Sequence, residues 1–239
     1  MCPGHFGYIE LPLPVVNPIF YKIMGVIIRM SCLSCFRFQI PEHMKYSLTL
    51  QIKLLNCGYI TEALEIANTI SELISHYESL ENIPEEAVVP LRKYEEMANK
   101  SLETLEGNYV LSKNTETLRN QFINGMLREI KASQACMHCK SSMDRIQVVR
   151  NRIIMTNRKR GDRSEMMASK VRAFESKYIT PDESRTYLRK LWEQEKDLMR
   201  EIIAVLGGVR DEHPTDVFFW DVIPVVPPNM RPVSLIIHV

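Results

Sequence analysis

No apolar run in this 239-residue chain is long enough to cross a bilayer: the longest near the start, Ile19 to Ile28, is interrupted by Lys22 and falls well short of the roughly 18 residues a membrane helix needs. No membrane partner is therefore expected. An excess of charge is missing too, since 30 Lys and Arg against 29 Asp and Glu leave a net charge of +1. The whole chain carries no polyelectrolyte signature for nucleic acid, and any basic surface has to be local. The first residues lack the charged region, apolar stretch and small-residue cleavage site of a secretory leader, which favours a reducing compartment. Six cysteines there suggest metal ligation rather than disulfides. There is no Gly-rich phosphate loop, no HExxH, no serine elbow and no acidic triplet able to hold magnesium, so these residues alone support an enzyme only weakly. No internal repeat is visible. What remains, 45% hydrophobic and 25% charged, suits one large globular domain or two small ones.

Hydrophobic spacing predicts an α+β, mostly helical fold. Phe6 to Val16 reads as one short, proline-limited strand, after which Asn17-Pro18 caps a mostly buried helix ending before Cys32. "FRFQI" reads as a second short strand. Met44, Leu48, Ile52 and Leu55, then Ile60, Leu64, Ala67, Ile70 and Ile74, recur every three to four residues on either side of Gly58 and predict a helical hairpin. A weaker helix is expected near Leu91 to Leu105 and another from Thr115 to Ala132. "IQVVRNRIIM" reads as a strand that leads into a mobile basic loop. Thr180-Pro181-Asp182-Glu183 is a capping box that opens one helix, with an apolar stripe from Leu188 to Leu206, stopped by Gly207-Gly208. The tail reads as a buried strand followed by a Pro-rich irregular segment.

Cys32 and Cys35, and again Cys136 and Cys139, form two CxxC pairs, the spacing that lets two thiolates on a tight turn bind one tetrahedral ion at about 2.3 Å each. Either pair alone reads equally well as two buried cysteines or a redox couple. Together they make a four-cysteine site for structural Zn2+, closed to substrate. The objection is the 100 residues lying between Cys35 and Cys136. Lengthening a closed loop from about 15 to about 100 residues costs roughly 1.7 kcal/mol, against on the order of 10 kcal/mol or more from structural zinc. Metal binding wins if the intervening residues fold by themselves, as their amphipathic helices suggest. Cys57 lacks a partner and reads as a core cysteine. His43, His76, His138, His213 and His238 show no ligand spacing, and His138 reads as a bystander inside its CxxC turn. Cys2 and His5 flank a Pro-Gly turn and look like half of a second site with no other half. From Arg145 to Arg163 seven basic residues meet one acid, Asp162; this is either a phosphate-contacting loop or an ordinary solvated one.

"CPGHFGYIELPLPVVNPIF", "SCLSC", "ACMHC", "YITPDESRTYLRKLW" and "HPTDVFFWDVIPVVPPNMRP" occur in that order. Over essentially the whole chain they resemble the N-terminal region of the largest subunit of multisubunit RNA polymerases. The long helical insert and "HPTDVFF" resemble the polymerase I version most. The resemblance implies a chain truncated at both ends, since the family's CPGH follows an upstream CxxC and the family continues toward a catalytic aspartate loop that binds Mg2+. Magnesium would then belong to the full-length enzyme, a nucleotidyltransferase, and this chain would be inactive alone. It further implies a zinc-stapled clamp with template DNA, the RNA–DNA hybrid and other polymerase subunits as partners, especially the second-largest, in the nucleus and nucleolus. Arg150, Arg152, Arg158, Lys159 and Arg160 become candidate DNA contacts. The implied organisation is a clamp-core start with the first CxxC (1–40), a helical clamp-head insertion (41–135), the second CxxC with a basic strand and loop (136–170), and a clamp-core helix with a Pro-rich strand (171–239). A noncatalytic zinc-binding scaffold or nucleic-acid-binding module is the alternative.

Overall fold

A computed structural model describes residues 5–78, 80–104, 112–130, 135–156, 176–204, 206, 213–227 and 230. Strand β1 (Gly7–Val16) runs through a 3-10 turn (Pro18–Phe20) into helix α1 (Tyr21–Met30). Asn17 fixes that entry, its Oδ1 accepting the Ile19 N–H at 3.1 Å while Pro18 presets the first turn. Helices α2 (Glu42–Asn56) and α3 (Ile60–Tyr77) form the expected hairpin. Gly58, at φ 89°, makes the left-handed turn between them, which glycine adopts without a Cβ clash. Met44, Leu48, Ile52 and Leu55 of α2 are all completely buried.

A 3-10 segment (Glu85–Arg92) leads into α4 (Lys93–Thr104), and α5 (Lys113–Glu129) follows behind a Ser112–Thr115 capping box. Helix α2 is the hub, packing on α3, α4, α5 and α7 (Lys196–Ala204), while α1 packs on α5. One continuous apolar cluster runs from Val16 to Phe219. Burying each large apolar side chain contributes roughly 1.5–3 kcal/mol, so the segment between the two CxxC pairs is anchored by packing within itself and against α1 and α7.

Two small antiparallel sheets flank this core: β1 with β5 (Phe219–Val225), and β2 (Arg145–Val149), β3 (Arg152–Thr156) and β4 (Ser176–Ile179) in that order. Helix α6 (Pro181–Gln194) opens on the expected box, with Thr180 Oγ1 accepting the Glu183 N–H and a Glu183 carboxylate oxygen accepting the Thr180 N–H. Two motifs from the sequence meet here. Arg185 of α6 makes a two-pronged bond to Asp221 at 2.8 and 2.6 Å and reaches Asp216 at 3.0 Å, and Arg189 adds a 2.7 Å bond to Asp216. Burial alone would raise the Asp216 carboxyl, but the two arginines bring it below its usual range.

Four expectations require correction. "IQVVRNRIIM" is a hairpin, not one strand: Arg150 and Asn151 both take left-handed φ (47° and 58°) and reverse the chain between β2 and β3, the geometry of a type I′ turn. "FRFQI" makes only an isolated bridge, Ser31 to Phe38, because its hydrogen bonds close the Cys32 turn. The single helix expected after Thr180 breaks at Glu195 into α6 and α7. Strand β5 is not buried; only its first residue, Phe219, lies in the core, since its one partner, β1, is itself exposed. The Gly207-Gly208 stop and the Ala132 helix end lie outside the described residues.

The β2–β3 hairpin sits on α1 through Gly25, where an added Cβ would lie 2.2 Å from Val148 Cγ2. Gly25→Ala is expected to push the hairpin off α1 and cost about 1–3 kcal/mol, the usual range for overpacking. Urea denaturation checks this; unchanged stability would mean the hairpin is not seated as described.

Candidate metal centre

Two short segments, 104 positions apart, follow one backbone path. In the first, the Cys32 N–H donates to Arg37 O (2.9 Å), the Phe36 N–H donates back to Cys32 O (3.0 Å), and Ser31 bridges Phe38. In the second, Cys136 donates to Ser141 O (2.8 Å), Lys140 to Cys136 O (3.0 Å), and Ala135 bridges Ser142. Phe36 and Lys140 occupy the same place in the two turns, both left-handed at φ 57° and 60°. A non-glycine residue there costs on the order of 1 kcal/mol, so both turns hold a strained position that something else must stabilise. The repetition extends to the sulfurs: the Ser34 N–H points at Cys32 Sγ and the His138 N–H at Cys136 Sγ, each at 3.4 Å.

The turns face one another. The Sγ atoms of Cys32, Cys35, Cys136 and Cys139 all lie within 4.8 Å of one another, with Cys32 to Cys139 at 3.8 Å and Cys35 to Cys136 at 3.6 Å. A tetrahedral ion with metal–sulfur bonds of about 2.3 Å needs sulfurs about 3.8 Å apart, so this arrangement could hold one metal ion. Cys32 and Cys136 are buried, Cys35 is half-buried and Cys139 is exposed.

The thiols are not electrostatically equivalent. Hydrogen bonds from the Ser141 hydroxyl and backbone bring Cys139 down to about 6. Burial raises Cys136, but the N–H groups of Cys139 and His138 and the Gln39 amide leave it below its usual value. Burial pushes Cys35 up to about 12. The second turn thus favours thiolates, while Cys35 of the first is held protonated by burial, which a neighbouring divalent cation would counter.

Several supporting residues carried no signal in the sequence. Gln39 donates to Cys136 Sγ at 3.3 Å and accepts the Met137 N–H at 3.1 Å, locking one turn to the other. His138 is not a sulfur-shell member, but its Nε2 bonds Phe38 O at 2.8 Å, so it joins the turns rather than standing by. The Phe38 N–H donates to Glu195 Oε1 at 3.2 Å, and Glu195 Oε2 pairs with Lys45 at 2.7 Å. The helix break at Glu195 therefore aims a buried carboxylate at the first turn. Tyr187 of α6 donates to Ser31 Oγ and Cys32 O.

Of the other predicted residues, His5 is exposed ahead of β1 and Cys2 lies outside the described residues. Arg150 and Arg152 are exposed at the tip of the β2–β3 hairpin, whereas Arg158, Lys159 and Arg160 lie outside the described residues. Cys57 is a core cysteine, its thiol pushed up to about 11 by burial. Among the described residues no helix is long and apolar enough to cross a membrane.

The family model for RNA polymerase Rpb1, domain 1, matches residues 1–237. The DNA-directed RNA polymerase I subunit RPA1 of Drosophila melanogaster is 30% identical over 243 residues, covering 98% of this chain and 15% of that protein. The DNA-directed RNA polymerase I subunit rpa1 of Schizosaccharomyces pombe is 23% identical over 306 residues, covering 98% of this chain and 18% of that protein. RPA190 of Saccharomyces cerevisiae, also a polymerase I subunit, is 37% identical over 65 residues, which are 27% of this chain and 4% of that protein. The chain thus spans less than a fifth of the length of these relatives. A family match over nearly every residue, together with a 30% identical relative across 98% of the chain, means that the chain belongs to the RNA polymerase Rpb1 domain 1 family, as an N-terminal region of a polymerase I largest subunit.

Proposed function

We propose that this chain forms the zinc-stapled clamp of RNA polymerase I, holding template DNA and the RNA–DNA hybrid during ribosomal RNA transcription in the nucleolus. The observation that carries the reading is the convergence of two equivalent CxxC turns from opposite ends of a long helical excursion, all four sulfurs within 4.8 Å. Cys32, Cys35, Cys136 and Cys139 bind one Zn2+, which closes the loop and holds the strained turns. With four thiolates no coordination position remains for substrate, so the role is structural. Cys2 and His5 offer two of the four ligands that a tetrahedral zinc takes. The chain contributes no catalytic centre, and magnesium binds elsewhere in the full enzyme.

The division into clamp core, helical clamp-head insertion and basic hairpin follows the same reading. Strands β1 and β5 expose Tyr8 (75%), Leu13 (69%) and Trp220 (41%), with Phe6 and Ile9 beside them. Large apolar side chains exposed on a two-stranded ribbon suit a protein interface, here with the other polymerase subunits, the second-largest foremost.

DNA contact begins at the hairpin tip. Arg150 and Arg152 project from a turn rigidly seated on α1, and the basic run continues through Arg158, Lys159 and Arg160. Binding is expected to be weak, indifferent to sequence and steeply salt-dependent. The double change Arg150→Ala, Arg152→Ala is expected to flatten the slope of log affinity against log salt by about two units, with metal content unchanged. A triple alanine change at Arg158, Lys159 and Arg160 should flatten it by about three more. Unchanged slopes in both variants would leave these arginines as solvated surface and refute DNA holding by this element.

A further inference from the structure

Away from the cysteines and the arginine hairpin, a cavity of about 350 Å³ opens at the N-terminal end of α5. It is lined by Phe20, Ser112, Lys113, Glu116, Arg119 and Leu206, among others. Its size falls at the low end of the roughly 300–1,000 Å³ typical of ligand sites. Arg119 is only 8% exposed, yet among the described residues its guanidinium makes no hydrogen bond or ion pair. Among the described residues the nearby carboxylate that acts on it is Glu116, one turn away on the same helix. A guanidinium stays ionised in proteins, and with no acceptor among the described residues its N–H groups are left to the open space of the cavity. The first turn of α5 adds a favourable field, because N-terminal N–H groups attract negative charge.

We propose that this cavity is a carboxylate-binding site, taking an acidic side chain from another polypeptide segment of the assembly, with Arg119 as its two-pronged anchor. The lining charges select the ligand. Lys113 and Arg119 against Glu116 leave a single net positive charge, which suits a monoanionic carboxylate; a phosphate group, with nearly twice the charge, meets repulsion from Glu116. Phe20 and Leu206 form an apolar wall for the methylene stem of such a side chain. The planar guanidinium fork matches a carboxylate's two oxygens, which a lysine at position 119 could not do.

This assignment uses neither the zinc nor the DNA reading, and it stands or falls without them. The test is an NMR titration of the purified full chain with 15N-labelled arginine side chains. The Arg119 signal is identified by its loss in Arg119→Lys. Three probes are added in turn: N-acetyl-glutamate N-methylamide, the glutamine analogue and inorganic phosphate. The expected result is a saturable shift of the Arg119 Nε–Hε signal with the glutamate compound, in roughly the millimolar range. The glutamine analogue should give none, and phosphate should bind at least ten-fold more weakly. Equal shifts with the glutamine analogue would overturn the proposal, as would tighter phosphate binding or no saturable shift at all. Each of these comparisons uses the unaltered chain, so a poorly folding variant does not protect the idea.

Discussion

Cys136→Ser is expected to reduce zinc content from about one per chain to near zero and to remove several kcal/mol of stability, a large share of the roughly 10 kcal/mol or more that a structural zinc site contributes. Cys136 is completely buried, and its sulfur receives the His138 and Cys139 N–H groups and the Gln39 amide at 3.3–3.4 Å. A serine hydroxyl stays protonated at neutral pH and reaches less far than a thiolate, so both the fourth ligand and these three acceptor contacts are lost together. Without the ion, the left-handed Phe36 and Lys140 positions have only hydrogen bonds to hold them, and the two turns separate. Metal analysis and thermal unfolding read the outcome. Cys57→Ser is the control and should keep its zinc, because Cys57 lies against Ala98 and outside the four-sulfur cluster. His138→Ala should keep its zinc and lose about 1 kcal/mol of stability, the usual worth of one hydrogen bond, because its ring bonds Phe38 O and no sulfur. Stoichiometric zinc in Cys136→Ser would contradict the four-thiolate assignment.

Glu195→Ala is expected to cost about 3 kcal/mol, at the lower end of the range for breaking a buried ion pair. The side chain of Glu195 is 1% exposed and that of Lys45 18%, so removal leaves a largely buried ammonium whose other acid, Glu42, is solvent-exposed. It also strips the Phe38 N–H of its acceptor. Phe38 is bonded at its carbonyl by His138, so the damage should reach the metal centre: weaker zinc affinity together with lower stability in urea. Glu195→Gln keeps the acceptor and should recover part of the loss. The double change Lys45→Met, Glu195→Leu, which removes both charges, should be less harmful than Glu195→Ala alone. A single change with no effect on zinc affinity would show that the helix break does not support the turn.

The parts of this structure that were legible in the sequence are those set by local rules. Met44, Leu48, Ile52 and Leu55 share a helix face whatever the partner, and Thr180 and Glu183 cap a helix within four residues. Two CxxC pairs likewise point to one shared cluster, because each pair offers only half of a tetrahedral ligand set, and the four sulfurs do converge. What escaped was set by distant contacts. The stripe from Leu188 to Leu206 is compatible with one straight helix, and the break at Glu195 exists because its carboxylate is held by Lys45, 150 positions earlier in the chain. The Arg150-Asn151 turn lacks the glycine that usually marks a two-residue hairpin. Asn151, a residue that tolerates left-handed φ, was the available hint. Gln39 and His138 could not be assigned from spacing, since their partners lie on the opposite turn. Strand β5 has a buried strand's composition, yet among the described residues it pairs only with β1, and every strand residue after Phe219 stays out of the core.

The most direct test is zinc K-edge X-ray absorption on the purified full chain, combined with metal analysis. The account predicts one zinc per chain, surrounded by four sulfurs at about 2.3 Å, with no nitrogen in the shell. A second tightly held zinc, an imidazole nitrogen among the ligands, or a folded chain without zinc would contradict it.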